Sequence, residues 1–166
     1  MTETLLPPDI YELAQRVVEE NAADGRKIVL AESCTGGLVA GAITEVAGSS
    51  AVLDRGFVTY SNEAKMDMLG VPLDIIETFG AVSIACVWAM AQGALERSNA
   101  DVSVAISGIA GPGGGTTLKP VGTVVFARCV RNGDGEPEGE MKQFGDGTRS
   151  SIRHQATICA LDLLLP

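Results

Sequence analysis

Two short apolar runs constrain this chain more than any other feature. Lys27-Ile-Val-Leu-Ala and Val102-Ser-Val-Ala-Ile each empty into a glycine-bearing turn, Glu32-Ser-Cys-Thr-Gly-Gly after the first and Gly108-Ile-Ala-Gly-Pro-Gly-Gly-Gly after the second. Both read as buried strands. A strand buried on both faces needs helices packed against each side, so strand, glycine turn and helix in succession point to an α/β architecture. Periodicity predicts helices over 9–22, 36–46, 62–69, 83–97 and 148–164, the first opened by a capping-box-like Asp9 and Glu12. Further strands are predicted over 57–60 and, as a late hairpin, over 121–130 and 140–144. Helices and strands alternate early and the hairpin comes late. The expected fold is therefore a three-layer α/β/α sandwich with a mixed sheet, one domain over 1–166. The glycine-rich 132–139 segment is read as a solvated hairpin tip.

Composition removes several classes of function. The 166 residues are enough for one core without disulfide or metal staples. Twenty-one acidic against twelve basic residues give a net charge of −9, with the basic residues scattered, which argues against nucleic acid or an anionic membrane as partner. Any anionic ligand must then be held locally by N–H groups or one or two cations. The uncharged 78–95 stretch is too rich in alanine and polar residues for a membrane span and reads as a buried helix. Cys34, Cys86, Cys129 and Cys159 are far apart, and His154 is the single histidine, so no zinc site is expected. The N-terminus lacks a cationic segment followed by an apolar one. A cytoplasmic protein with reduced thiols is the expectation.

Four segments could carry chemistry. The turn at 32–37 puts small hydroxyl side chains and main-chain N–H groups where a strand meets a helix. It can hold an anion or a developing oxyanion, or Ser33 or Thr35 merely caps the helix. Ala31 stands where a nucleophile elbow requires glycine. Cys34 is a rival nucleophile if the helix lowers its thiol pKa, and a packing residue otherwise. In the 60–65 segment, Lys65 is either an exposed helix lysine or a buried base. As a base near pH 7 a lysine must drop from about 10.4 to about 7, a cost of roughly 4–5 kcal/mol that full burial can supply. The third segment holds five glycines within 108–115 and is neither a Walker A loop nor a dinucleotide fingerprint; such density suggests backbone wrapped closely round a ligand. Arg149 and Arg153 open the last helix, where a phosphate would meet both dipole and guanidinium, although surface arginines are common there. His154 reads as a helix-surface residue.

Taken together, AESCTGG at 31–37, VTYSNEAK at 58–65, GAVS at 80–83, SGIAGPGGGTTLKPVGTV at 107–124 and the Arg149 and Arg153 helix resemble the C-terminal domain of the CinA family over nearly the whole chain. The resemblance implies a stand-alone amidohydrolase that converts nicotinamide mononucleotide to nicotinate mononucleotide and ammonia in pyridine-nucleotide salvage. It implies no metal and no cofactor, a small-molecule substrate and a homodimer. By matching motif, Ser33 would be the nucleophile, Lys65 its base and Tyr60 a third polar member. Thr35, Gly36, Ser107, Gly108, Ala110, Gly111, Gly114, Gly115 and Arg149 would bind substrate, the loop and Arg149 taking the ribose phosphate. Two departures stand out. The family commonly has an acidic residue after Ser83, where this chain has Ile84 and Ala85. It usually has arginine directly after Gly-Asp, where Gly147 and Thr148 intervene here. A second reading is a non-catalytic nucleotide-binding or interaction module linked to competence or DNA damage.

Overall fold

A computed structural model of the chain describes residues 3–133, 137–145 and 147–166. In chain order the elements are α1 (Pro8–Ala23), β1 (Ile28–Glu32), α2 (Leu38–Thr44), a 3-10 turn (Ser49–Ala51), β2 (Leu53–Val58), α3 (Asn62–Leu69), α4 (Leu73–Phe79), α5 (Ile84–Glu96), β3 (Val102–Gly108), β4 (Thr123–Val130), β5 (Glu138–Gln143) and α6 (Arg149–Leu163). The sheet order is β2-β1-β3-β4-β5. β2, β1 and β3 run parallel, and β4 and β5 join antiparallel, so the sheet is mixed as expected.

Alternation along the strands divides the core in two. Ile28 and Leu30 of β1, with Val102, Val104 and Ile106 of β3, face α1, α2 and α6. Val29, Ala31 and Ala105 face the other way, onto Val87, Ala91 and Ala94 of α5. Helices thus cover both faces of the sheet, which is the three-layer sandwich. The 78–95 stretch is accounted for by α5, whose Cys86, Val87, Met90 and Ala91 are buried. No helix among the described residues is long and apolar enough to cross a membrane.

β1 leads through α2 to β2 on one side of it, whereas β3 lies on its other side. The carboxyl ends of β1 and β3 therefore flank a point where the chain order reverses, the place where open α/β sheets offer a crevice to ligands. Ser33 N–H donates to the Ile106 carbonyl at 2.9 Å and Thr59 N–H to the Glu32 carbonyl at 2.8 Å, so the chain just past β1 is tied to both neighbours.

Several local expectations are corrected. α1 starts behind Pro7, with Pro8 in its first turn and no side-chain cap. Asp9 lies inside the helix, and its Oδ2 meets His154 Nε2 of α6 at 2.7 Å. β2 ends at Val58, leaving Tyr60 outside the strand. A helix the apolar pattern did not separate, α4, follows α3 closely, with Pro72 as its N-cap. α2 begins at Leu38, because Gly36 and Gly37 sit at φ 58° and 100°, left-handed values a helix cannot contain. β5 starts at Glu138; part of the expected hairpin tip, 134–136, lies outside the described residues.

Candidate active site

α3 delivers Lys65. Ser61 Oγ accepts from Ala64 N–H at 3.0 Å, capping the helix, and Gly70 at φ 69° ends it. Lys65 and Leu69, four residues apart, are the buried residues of α3 and share the face that packs on α5. The alternative of an exposed lysine falls, since Lys65 is 1% exposed. Its Nζ lies 3.0 Å from Ser33 Oγ, 2.7 Å from the Thr59 carbonyl oxygen and 3.2 Å from that of Tyr60. Burial pushes the amine's pKa below the ordinary lysine value.

This geometry bears on proton transfer. Two of the three partners are carbonyls, which can only accept. When the amine is neutral, its two N–H bonds satisfy Thr59 and Tyr60 and its lone pair faces the Ser33 hydroxyl. When it is protonated, the third N–H donates to Ser33 Oγ. The same three contacts serve both states, so a proton can pass between Ser33 and Lys65 without rearrangement.

The turn carrying Ser33 is held differently from either reading of the sequence. Glu32, 1% exposed, turns its carboxylate onto the start of α2. Its Oε1 accepts from Thr35 Oγ1 at 2.6 Å, Gly37 N–H at 3.2 Å and Val39 N–H at 3.0 Å, and its Oε2 from Ala40 N–H at 3.0 Å. The anion at this helix start is therefore the protein's own, and neither Ser33 nor Thr35 caps it. Thr35 is fully buried with its hydroxyl spent on Glu32. Cys34 is a packing residue, 6% exposed, and burial pushes its thiol up to about 11, opposite to what a nucleophile needs.

Tyr60 reaches Lys65 through its main chain. Tyr60 is 63% exposed and its hydroxyl accepts from Arg149 Nη2 at 3.3 Å. Arg149 also donates from Nη1 to the Gly111 carbonyl at 2.6 Å, bridging the glycine loop to the Tyr60 segment. Arg153 is not its companion. Its Nε donates to the Cys34 carbonyl at 3.0 Å and its Nη2 to that of Thr35 at 3.4 Å, behind the serine turn.

Ser107 lies at the carboxyl end of β3, 2% exposed, on the same sheet face as Ala105 and hence on the Lys65 side. The loop beyond it explains its glycines in part without a ligand. A Cβ on Gly108 would stand 2.8 Å from Val124 Cγ2, one on Gly111 2.4 Å from Val121 Cγ1, and one on Gly115 2.7 Å from Val121 N. These glycines allow the loop to fold back on the start of β4. Gly114, at φ 88°, and Gly113 meet no such crowding and are exposed, and Ala110 is buried. Sequence reasoning missed Glu32, the Thr59 carbonyl and the real station of Arg153. A lone charged residue closing an apolar strand was the available signal for the first.

Residues 10–166 match the CinA C-terminal domain family. The chain is 49% identical over 156 residues to the nicotinamide-nucleotide amidohydrolase PncC of Escherichia coli strain K12, covering 94% of this chain and 93% of that protein. It is 51% identical to a CinA-like protein of Akkermansia muciniphila, covering 97% of this chain but 38% of that longer one. Among solved structures, the competence/damage inducible protein CihA from Agrobacterium tumefaciens superposes with a TM-score of 0.94 at 52% identity, covering 98% and 97% of the two chains. A CinA superfamily protein from Klebsiella pneumoniae gives 0.87 at 40% identity, covering 93% and 94%. The ordered motifs, the mixed sheet and these likenesses agree: the chain belongs to the CinA C-terminal domain family.

Proposed function

We propose that this protein is a nicotinamide-nucleotide amidohydrolase, converting nicotinamide mononucleotide to nicotinate mononucleotide and ammonia with Ser33 as nucleophile and Lys65 as base. The observation that carries the reading is the buried Lys65 Nζ, 3.0 Å from Ser33 Oγ with its other contacts on carbonyls. The near full-length likeness to PncC of E. coli supports the substrate class.

Ser33 Oγ attacks the carboxamide carbon as its proton passes to Lys65 Nζ. The oxygen of the tetrahedral intermediate takes up negative charge, and free N–H groups of the 33–37 turn stabilise it. The C–N bond then breaks while Lys65 returns the proton to the departing nitrogen, releasing ammonia and leaving an ester on Ser33. Water, deprotonated by the now neutral Lys65, attacks that ester, and Ser33 departs with the proton. Arg149 and the exposed part of the glycine loop take the phosphate. Contact hydrogen bonds decide that step, since at physiological salt the field of distant acidic residues is screened within about 8 Å.

Ammonia release from the mononucleotide tests the reading, with Ser33→Ala as control. The wild type is expected to turn over, and Ser33→Ala to lose activity by orders of magnitude while melting normally, because its hydroxyl is a single buried group at the edge of the core. No ammonia from folded wild-type protein refutes the function. Near-wild-type turnover by Ser33→Ala refutes the nucleophile.

A further inference from the structure

We propose that β5 is the docking surface for a second copy of this chain, the two β5 strands pairing antiparallel about a two-fold axis at Met141. β5 is the last strand of the sheet, all six of its residues are exposed, and its register with β4 runs without a shift. Natural edge strands are usually shortened, bulged or covered. β2, at the other edge, shows such devices. Its register with β1 shifts, Asp54 and Arg55 bond each other at 2.8 Å, and Arg55 also reaches the Arg97 carbonyl. Glu140 and Lys142 of β5 have no ion-pair partner among the described residues.

The main chain sets which pairings are open. Phe144 N–H donates to the Gly122 carbonyl at 2.8 Å, and these two residues continue the β4–β5 register directly opposite each other. Such bonding alternates along an antiparallel ladder, so Glu138, Glu140 and Lys142 turn their N–H and C=O groups toward β4. Those of Gly139, Met141 and Gln143 turn outward, a row of unmet donors and acceptors. Side chains alternate as well. Glu140 and Lys142 lie opposite Phe126 and Val124 on the α6 face, and Gly139 and Met141 opposite Ala127 and Val125 on the α5 face.

Charge then selects one register. With Met141 opposite its own copy, Glu140 stands opposite Lys142 of the second copy, and the symmetry makes that pair twice. Both are non-hydrogen-bonded pairs, in which side chains approach most closely. Gly139 meets Gln143 of the second copy, and about six main-chain hydrogen bonds close the seam. Met141, 47% exposed, meets itself on the α5 face. Every neighbouring register is worse. Centring on Gly139 sets Glu138 against Glu140, centring on Glu140 or Lys142 sets each against itself, and centring on Gln143 leaves Lys142 opposite Phe144. Charges that guard an edge against other strands thus specify a single partner here.

Sedimentation equilibrium of the full chain and of the variants Lys142→Glu and Glu140→Lys, over a concentration series at about 0.15 M salt, tests the seam. The wild type is expected to dimerise as concentration rises, and exchange of the Met141 amide to slow in step. Each variant alone sets two like-charge pairs across the axis, so its dimer is expected to weaken at least about tenfold. Both sites are exposed, and both variants should melt normally. Mixed one to one, the variants regain both opposite-charge pairs, and a mixed dimer should form. A wild type that stays monomeric up to about 1 mM overturns the proposal. Variants that dimerise like the wild type overturn it too, because the contact then lies elsewhere on the chain. Variants that separate but do not recombine on mixing overturn the register, and the proposal with it.

Discussion

Replacing Lys65 by methionine separates chemistry from stability, and pH gives the separation a sign. An unfolded lysine keeps its proton to about pH 10.4. In the fold, burial lowers the pKa of the Lys65 amine. Below the folded value both states are protonated and the native state carries the whole cost of a buried charge. Between the folded value and about 10.4 the unfolded chain binds the extra proton, so stability climbs with pH by at most about 1.36 kcal/mol per unit. Above that range both states are neutral and the penalty is gone. Lys65→Met has no such group, but it strips a partner from Ser33 Oγ and from the Thr59 and Tyr60 carbonyls, at about 1–3 kcal/mol for each group left dry and unpaired. These contributions oppose one another, and only the burial cost changes with pH, so the variant should lose stability relative to the wild type as pH rises from neutral toward about 10. Turnover should fall by about 10²–10⁴, the usual contribution of a positioned base. Urea unfolding of both proteins at steps from about pH 6 to about pH 10 reads the difference. A difference that stays flat across that range would mean that the amine is not perturbed by burial, and the assignment of Lys65 as base would go with it.

Three further outcomes are expected. A Cβ on Gly93 would stand 2.0 Å from the Leu69 carbonyl oxygen, so Gly93→Ala should destabilise by about 1–3 kcal/mol and displace α3, lowering activity as well as the melting midpoint; unchanged melting refutes the close approach. Arg149→Met should raise KM for the mononucleotide several-fold with little effect on kcat, and leave activity on the phosphate-free nucleoside unaltered; equal effects on both substrates remove phosphate from its role. The hydrogen bond from His154 holds the Asp9 carboxyl below its usual range, so that contact's stability is present above about pH 4 and lost as pH falls through the folded value. Asp9 is 59% exposed and well screened, so Asp9→Asn should blunt acid destabilisation by under about 1 kcal/mol, and an acid limb identical to the wild type's in urea titrations at pH 2–5 contradicts it.

Legibility varied with how local the cause was. The 62–69 helix was read at its observed bounds because its cap Ser61 and its terminator Gly70 adjoin it. β2 was read four residues late, since Phe57-Val-Thr-Tyr is denser in strand formers than Leu53–Val58, whose Asp54, Arg55 and Gly56 suit an edge strand. α4 is hidden because Gly70, which ends α3, is followed after Val71 by Pro72, and the pair reads as one stop although Pro72 is already the N-cap of the next helix. At the site, Ser33 and Lys65 were singled out from their motifs. The part assigned to glycine density alone divided: Gly108, Gly111 and Gly115 serve packing against Val121 and Val124.

By itself the sequence determined the α/β class, the mixed sheet and the segments bearing Ser33, Lys65 and the glycine loop, because strand, turn and helix preferences arise within a few residues of each position. Tertiary structure alone decided that Lys65 is dry and aimed at a serine 32 positions away, and that Glu32 rather than a hydroxyl closes α2. It also decided that Arg153 stands behind the turn instead of beside Arg149. Those outcomes depend on which surfaces exclude water and on which donors meet which acceptors across elements. No local pattern encodes either, since both exist only after the layers have packed.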